Sequence, residues 1–223
     1  MGSDSAGNVF IPSGATNTVK AYAPLCGRLV ASFHDQFGVP MDAIPTGGTI
    51  YVPSANGVAV CSLSGCSSNL TDASILQITS AGVDAAGNVW AANYNLRFAV
   101  ALVVWPHATM PGRVVSGYVD TLSPGDILFD KNNVLISVAS PFATVTTFNC
   151  KANSASCAKT GSFPLRSASN FGALNAANTD FQVADLRLDS IDVYAYPSIA
   201  YKYSYDRGFR QGSSPAGVTQ IGG

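Results

Sequence analysis

The chain contains no glutamate. All 13 acidic residues are aspartate, and charged residues fill only 11% of the 223 positions, against about 25% in an average soluble domain. Glutamate favours helices, whereas aspartate bonds its own backbone and favours turns. Its absence therefore argues against a helical protein. The formal net charge is −1, so the electrostatic footprint of a nucleic-acid or anionic-membrane binder is missing. No apolar run approaches the roughly 18 residues a spanning helix needs. The longest candidate, 98–105, has the length of a buried strand. There are two histidines, His34 and His107. No Gly-x-Ser-x-Gly elbow accompanies them, so a Ser-His-Asp machine has no recognisable nucleophile. His34-Asp35 is the pair to mutate should an activity appear.

Cysteine is present but sparse. Cys61 and Cys66 are one close pair and Cys150 and Cys157 another, each following a β-rich run; Cys26 is left over. Zinc sites more often double a shorter spacing into one set of four ligands. Two local disulfides stapling hairpins is the better reading, with Cys26 free. Disulfides place the protein in an oxidising compartment, extracellular or periplasmic. Met1-Gly2-Ser3 reads as an expression start in place of a leader.

What the sequence does have is a repeat. Asp4-Ser5-Ala6-Gly7-Asn8-Val9-Phe10 recurs as Asp84-Ala85-Ala86-Gly87-Asn88-Val89-Trp90. Shorter versions stand at Asp130-Lys131-Asn132-Asn133-Val134-Leu135 and Asp189-Ser190-Ile191-Asp192-Val193-Tyr194, and Thr46-Gly47-Gly48-Thr49-Ile50-Tyr51 fills the gap. The runs after these turns begin near residues 9, 49, 89, 134 and 191. A period of about 40–50 residues with several strands per unit is the signature of a β-propeller. The expected fold is an all-β, single-domain propeller over 1–223, with five four-stranded blades and six as the alternative.

The expected strands are 8–13, 17–23 and 28–33; then 39–45, 49–53, 57–62 and one within 68–77. The third unit has 79–84, 88–93, 97–105 and 111–118, and the fourth 124–129, 133–138, 142–149 and 159–164. The fifth has 181–187, 190–196, 199–205 and a strand near 208–212. The first unit lacks an inner strand. Pro215 to Gly223 resembles the inner-strand segment Gly38 to Ile44 in its Gly/Pro punctuation. The C-terminal strand is therefore expected to close blade one and leave no free sheet edge. The irregular stretch 164–180 is the expected binding loop, with Asn170, Phe171 and Asn175 at its centre.

These residues carry a family resemblance. Gly7-Asn8-Val9-Phe10-Ile11 followed by Asn17-Thr18-Val19-Lys20-Ala21-Tyr22-Ala23-Pro24 resembles one blade of the NHL and gluconolactonase-like propellers, in particular those of exported bacterial repeat proteins. Gly87 to Tyr94 matches the first half of that motif. The resemblance implies a propeller with channel and loop surfaces, not one activity. Some members of the group are calcium-dependent lactonases or esterases using a Glu, Asn and Asp set at the channel mouth. Without glutamate that set cannot be complete here, and no residue carries over.

Two polar sets remain. Asp42, Ser80, Asp126 and Asp185 each precede a turn by about four residues, on expected inner strands. They either accept backbone N–H bonds where each strand is entered or form an oxygen-rich ring for Ca2+. Asp4, Asp84, Asp130 and Asp189 close their own turns. Tyr201, Tyr203 and Tyr205, spaced by two, are expected on one face of a strand, packing between blades or stacking a sugar. Arg207 and Arg210 follow as a polar rim. Asn69-Leu70-Thr71 matches a glycosylation sequon, an incidental one.

The functional expectation is an exported, non-enzymatic propeller that binds a protein or glycan through channel-side loops. The alternatives are a metal-dependent lactonase-like hydrolase using Asp42, Asp126 and Asp185, and a self-associating subunit of an extracellular layer or filament. Neither nucleic-acid binding nor membrane insertion is expected. Deleting residues 216–223 is expected to destabilise the domain severely; an unchanged melting temperature would refute closure by the C-terminal strand.

Overall fold

The computed structural model describes residues 2–24, 27–95, 100–119, 124–139, 143–169, 171–175, 177–185 and 190–205. They form five antiparallel sheets of four strands each, arranged as a five-bladed propeller. Blade one contains β1 (Gly2–Ser3), β2 (Val9–Ser13), β3 (Thr18–Tyr22) and β4 (Leu29–His34). Blade two contains β5 (Ile44–Thr46), β6 (Thr49–Ser54), β7 (Gly57–Ser62) and β8 (Gly65–Leu70). Blade three contains β9 (Ile75–Val83), β10 (Val89–Asn95), β11 (Val100–Trp105) and β12 (Arg113–Val114). Blade four contains β13 (Pro124–Phe129), β14 (Val134–Ala139), β15 (Thr144–Lys151) and β16 (Ser156–Pro164). Blade five contains β17 (Gly172–Leu174), β18 (Asp180–Asp185), β19 (Ser190–Ala195) and β20 (Ala200–Tyr205).

Successive side chains on a strand point to opposite faces. A blade has a neighbour on each side, so its middle strands are apolar on both. On β10, Val89 and Ala91 pack toward blade two while Trp90 and Ala92 pack toward blade four. On β11, Val103 and Trp105 face blade two, and Leu102 and Val104 face blade four. Phe10, Val19, Ile50 and Ala59 fill the seam between blades one and two. Ile136, Val145, Phe181 and Tyr194 fill the one between blades four and five. Where blades converge the residues are small. A Cβ on Gly82 would lie 3.1 Å from the Ile127 carbonyl oxygen of the next blade's inner strand, which explains glycine on a central strand.

The turn motif behaves as one device. In blade three, the Asp84 carboxylate accepts the N–H groups of Ala86 (2.9 Å) and Asn88 (2.9 Å), the Asn88 side-chain amide (2.7 Å) and the Trp90 indole N–H (3.0 Å). Gly87 takes a left-handed φ of 77° there, as Gly7 does at 79° in blade one. Asp4 repeats the bonds to Ala6 and Asn8, and Asp130 those to Asn132 and Val134. In blade five Asn175 performs the task, its carbonyl oxygen accepting Thr179 N–H at 2.7 Å and Asp180 N–H at 3.1 Å. Both expected disulfides are present, Cys61–Cys66 across β7–β8 and Cys150–Cys157 across β15–β16.

The structure changes three expectations. First, Gly2–Ser3 pairs with Phe10 and Val9, so the N-terminal residues supply inner-strand pairing in blade one. The C-terminal segment lies outside the described residues, as do Cys26, Asp189, Arg207 and Arg210. Second, blade five is displaced by one strand. Its inner strand is Gly172–Leu174, within the stretch expected to be a loop, and the runs 181–187, 190–196 and 199–205 become the second, third and fourth strands. Second strands then begin at residues 9, 49, 89, 134 and 180, and the long last step disappears. Third, Tyr201, Tyr203 and Tyr205 do not share a face. A bulge between Val193 and Tyr194 sets Tyr201 opposite Tyr194 but Tyr203 opposite Val193, and neighbouring positions on β19 point to opposite faces.

Asp84→Ala is expected to lower stability by about 3 kcal/mol, since buried N–H donors lose their acceptor. Asp4→Ala, in a more exposed turn, is expected to cost about 1 kcal/mol. Urea unfolding midpoints of the two variants measure the difference; equal small losses would remove the turn carboxylate from the account of the fold.

Candidate functional site

Two regions concentrate polar groups: the axis, lined by inner strands, and the face bearing the closed turns. Up-and-down strand order puts the first turn of every blade and its third-to-fourth hairpin on the same face. The aspartate-closed turns and both disulfide-closed hairpins therefore share one side of the ring.

At the axis the centre is Asp126 on β13. Its Oδ1 accepts the Ser80 hydroxyl from β9 at 2.8 Å, and its Oδ2 accepts Gly172 N–H from β17 at 3.3 Å. Ser80 Oγ in turn accepts Ile127 N–H at 3.0 Å. One carboxylate thus joins the inner strands of blades three, four and five. Burial pushes its pKa up from 3.8 to about 6, while the Ser80, Gly172 and Ile127 hydrogen bonds pull it down. Ser80 and Asp126, from the expected ring, do meet. Asp42 lies in the loop before β5, where its Oδ1 accepts Ala43 N–H at 2.7 Å. Asp185 is buried at the end of β18, a second strand and not the inner strand the sequence suggested. Among the described residues no three His, Cys, Asp or Glu side chains gather to hold a metal ion.

Of the expected binding loop, Asn170 lies outside the described residues. Phe171 precedes β17 and accepts Ser169 Oγ at its carbonyl, while Asn175 is occupied with its own turn. His34 is exposed at the end of β4, beside a fully buried Asp35. Asp35 Oδ1 accepts Phe37 N–H at 2.9 Å. Burial raises the Asp35 pKa, with the Phe37 bond and the His34 charge opposing. His107 sits in a short 3-10 turn at φ 49°, its N–H bonded to Asn88 Oδ1 at 3.0 Å.

Sequence reading missed two arrangements. On blade five, Arg166 lies 4.4 Å over the Tyr201 ring, donates to Ser204 Oγ at 3.1 Å and stands 3.9 Å from the buried Asp192. Tyr194 accepts Arg166 N–H at 2.9 Å, and burial pushes its pKa up to about 12. The other arrangement ties blade to blade. Asn133 and Asn178, both at left-handed turn positions (φ 66° and 54°), reach back to the preceding blade. Asn133 Oδ1 accepts Ala85 N–H at 3.0 Å and Asn178 Oδ1 accepts Lys131 N–H at 2.8 Å. Tyr196 adds a bond to Asp130 Oδ2 at 2.8 Å. The one available signal was asparagine where other repeats carry glycine.

No protein-family model and no curated protein matches the chain. Solved structures do. A chain of the nidogen–laminin complex superimposes with a TM-score of 0.79 at 12% identity, covering 98% of this chain and 82% of that one. Streptogramin B lyase gives 0.70 at 13%, covering 98% of this chain and 71% of that one. The luciferin-regenerating enzyme gives 0.66 at 10%, covering 90% of this chain and 73% of that one. At such identities the likeness establishes the propeller fold alone.

The raised pKa of Asp126 has a definite sign in stability. Between about pH 4 and 6 the folded state holds a proton that the unfolded chain releases, so this residue's contribution falls as pH rises through that window, by on the order of 2 kcal/mol. Denaturant melts at pH 4.5 and 7.5 are expected to show that loss in the native protein relative to Asp126→Asn. Parallel pH slopes in the two proteins would show the carboxyl to be ordinary.

Proposed function

We propose that this chain is an exported, non-enzymatic propeller that binds a glycan or a protein partner through the turn face at the mouth of its channel. The observation that carries the reading is the rigidity of that face. Its first turns are closed by Asp4, Asp84, Asp130 and Asn175, and two of its outer hairpins are closed by disulfides. Loops already ordered lose little entropy on binding. The disulfides suit an oxidising, extracellular-type environment.

Carboxylates in the ring are engaged in holding it together. Asp84 is occupied by its turn and Trp90, Asp130 by its turn and Tyr196, and Asp126 by three blades. That arrangement supports a scaffold over a proton-transfer site. The nidogen–laminin neighbour shows that a propeller of this shape occurs in a protein–protein complex. No apolar helix of membrane-spanning length occurs among the described residues.

A glycan array probed with the purified, oxidised protein, run beside lactone and ester hydrolysis with Ca2+ or EDTA, tests the reading. Saturable binding without chelator-sensitive turnover is expected. Hydrolysis that EDTA abolishes would overturn it in favour of the metal-dependent enzyme. Concentration-dependent assembly on size exclusion, with no ligand bound, would favour the structural subunit.

A further inference from the structure

The staple that joins neighbouring turns is missing at the first blade junction. At junctions three–four and four–five, an asparagine amide at the left-handed turn position accepts the N–H of the second turn residue of the preceding blade, Ala85 or Lys131. At junction one–two the second turn residue is Ser5. The left-handed positions opposite are Gly47 (φ 57°) and Gly48 (φ 86°), which have no side chain to offer. Nothing lies within 4 Å of where a Cβ would stand on either glycine.

A second vacancy adjoins it. In blades three and four the outer oxygen of the turn carboxylate takes a bond from an aromatic donor: Trp90 Nε1 on Asp84 Oδ2 at 3.0 Å, Tyr196 OH on Asp130 Oδ2 at 2.8 Å. In blade one the residue corresponding to Trp90 is Phe10, which has no donor. Asp4 Oδ2 accepts the Asn8 side-chain amide at 2.9 Å and keeps capacity for a further donor.

A cleft of about 370 Å3 opens at this junction, and Asp4, Ser5, Gly47 and Gly48 line it. Its accessible apolar lining comes from half-buried Pro45 and from Leu63 of the disulfide-closed hairpin, with the buried Phe10 and Ile50 contributing little surface. Leu63 is 49% exposed on its hairpin tip, which leaves its side chain free to be covered. The volume is that of a small ligand site.

From this we infer a binding site for a 2-acetamido sugar, an N-acetylhexosamine residue of a glycan. The inference rests on the binding role proposed above and names its ligand. The acetamido carbonyl takes the Ser5 N–H, as the asparagine amides do at the other junctions. The neighbouring 3-hydroxyl, gauche to the acetamido group, donates to Asp4 Oδ2. The methyl group meets Pro45 and Leu63. An asparagine side chain from a protein partner would satisfy the same N–H, but it carries a methylene tied to its own backbone where the acetamido group has a free methyl, and it brings no ring hydroxyl to Asp4 Oδ2. The methyl decides for the sugar.

Titration of the full chain with N-acetylglucosamine, followed by amide NMR shifts, tests the site. Glucosamine, glucose and N-acetylasparagine amide serve as competing probes. Saturable binding of N-acetylglucosamine with Kd in the millimolar range is expected, at least tenfold tighter than the other three. Gly47→Asn and Gly48→Asn each place a carboxamide in the cleft at a position asparagine tolerates. At least one is expected to abolish sugar binding with an equal or higher melting temperature. Leu63→Ser, on an exposed tip, is expected to weaken binding at least threefold without changing the fold. Equal binding of glucose or glucosamine would overturn the inference, as would tighter binding of the asparagine amide. If the array finds another glycan whose binding both glycine variants retain, the site is wrong while the binding role stands. If no sugar binds at all, the site and the glycan arm of that role fail together.

Discussion

Everything in this fold follows from one demand: each blade must bury both of its faces. A lone four-stranded sheet with Trp90 on one side and Trp105 on the other has no soluble state, because water contacts one apolar face whichever way it turns. Neighbouring blades answer that demand for each other. The alternation of strand side chains allocates residues to one seam or the next without overlap. The scarcity of charge then follows, since the middle strands have no solvent face on which to carry it. Small residues at the convergent end, such as Gly82 and Ala91, follow from the wedge shape of a ring.

Polar chemistry is confined to the ends and the axis, where it has structural work. The turn aspartates replace backbone hydrogen bonds that a reversing chain cannot make for itself. Asp126 does the same across blades, at the cost of desolvating a carboxyl group.

The repeat made the architecture legible. The Asp-x-x-Gly-Asn turns marked blades one and three, a shorter Asp-x-x-Asn turn marked blade four, and the apolar doublets at 98–105 identified a middle strand. Blade five misled for a physical reason. Its true turn uses Asn175, whose side-chain oxygen accepts the N–H four residues on, as the turn carboxylates do, and the next one along in place of the N–H two residues on. Meanwhile Asp189-Ser190-Ile191 imitates a turn and strand start one position late. Asp185 was consequently placed on an inner strand that it does not occupy. The tyrosine face failed because a bulge changes parity without leaving a mark in the sequence. The axial contact of Ser80 with Asp126 was half legible, in that their equivalent positions in two repeats predicted proximity. Their partner Gly172 carries no side chain to signal it.

The uneven distribution of inter-turn staples has a mechanical consequence. Blades three, four and five are tied at the rim by Asn133, Asn178 and Tyr196, and at the axis by Asp126. That arc behaves as a single stiff body. At the first two junctions the opposing left-handed turn residues are glycines, so no side-chain staple of this kind joins those turns. The first junction, which lacks those ties, is also where the cleft between the Asp4 turn and the Gly47-Gly48 turn opens.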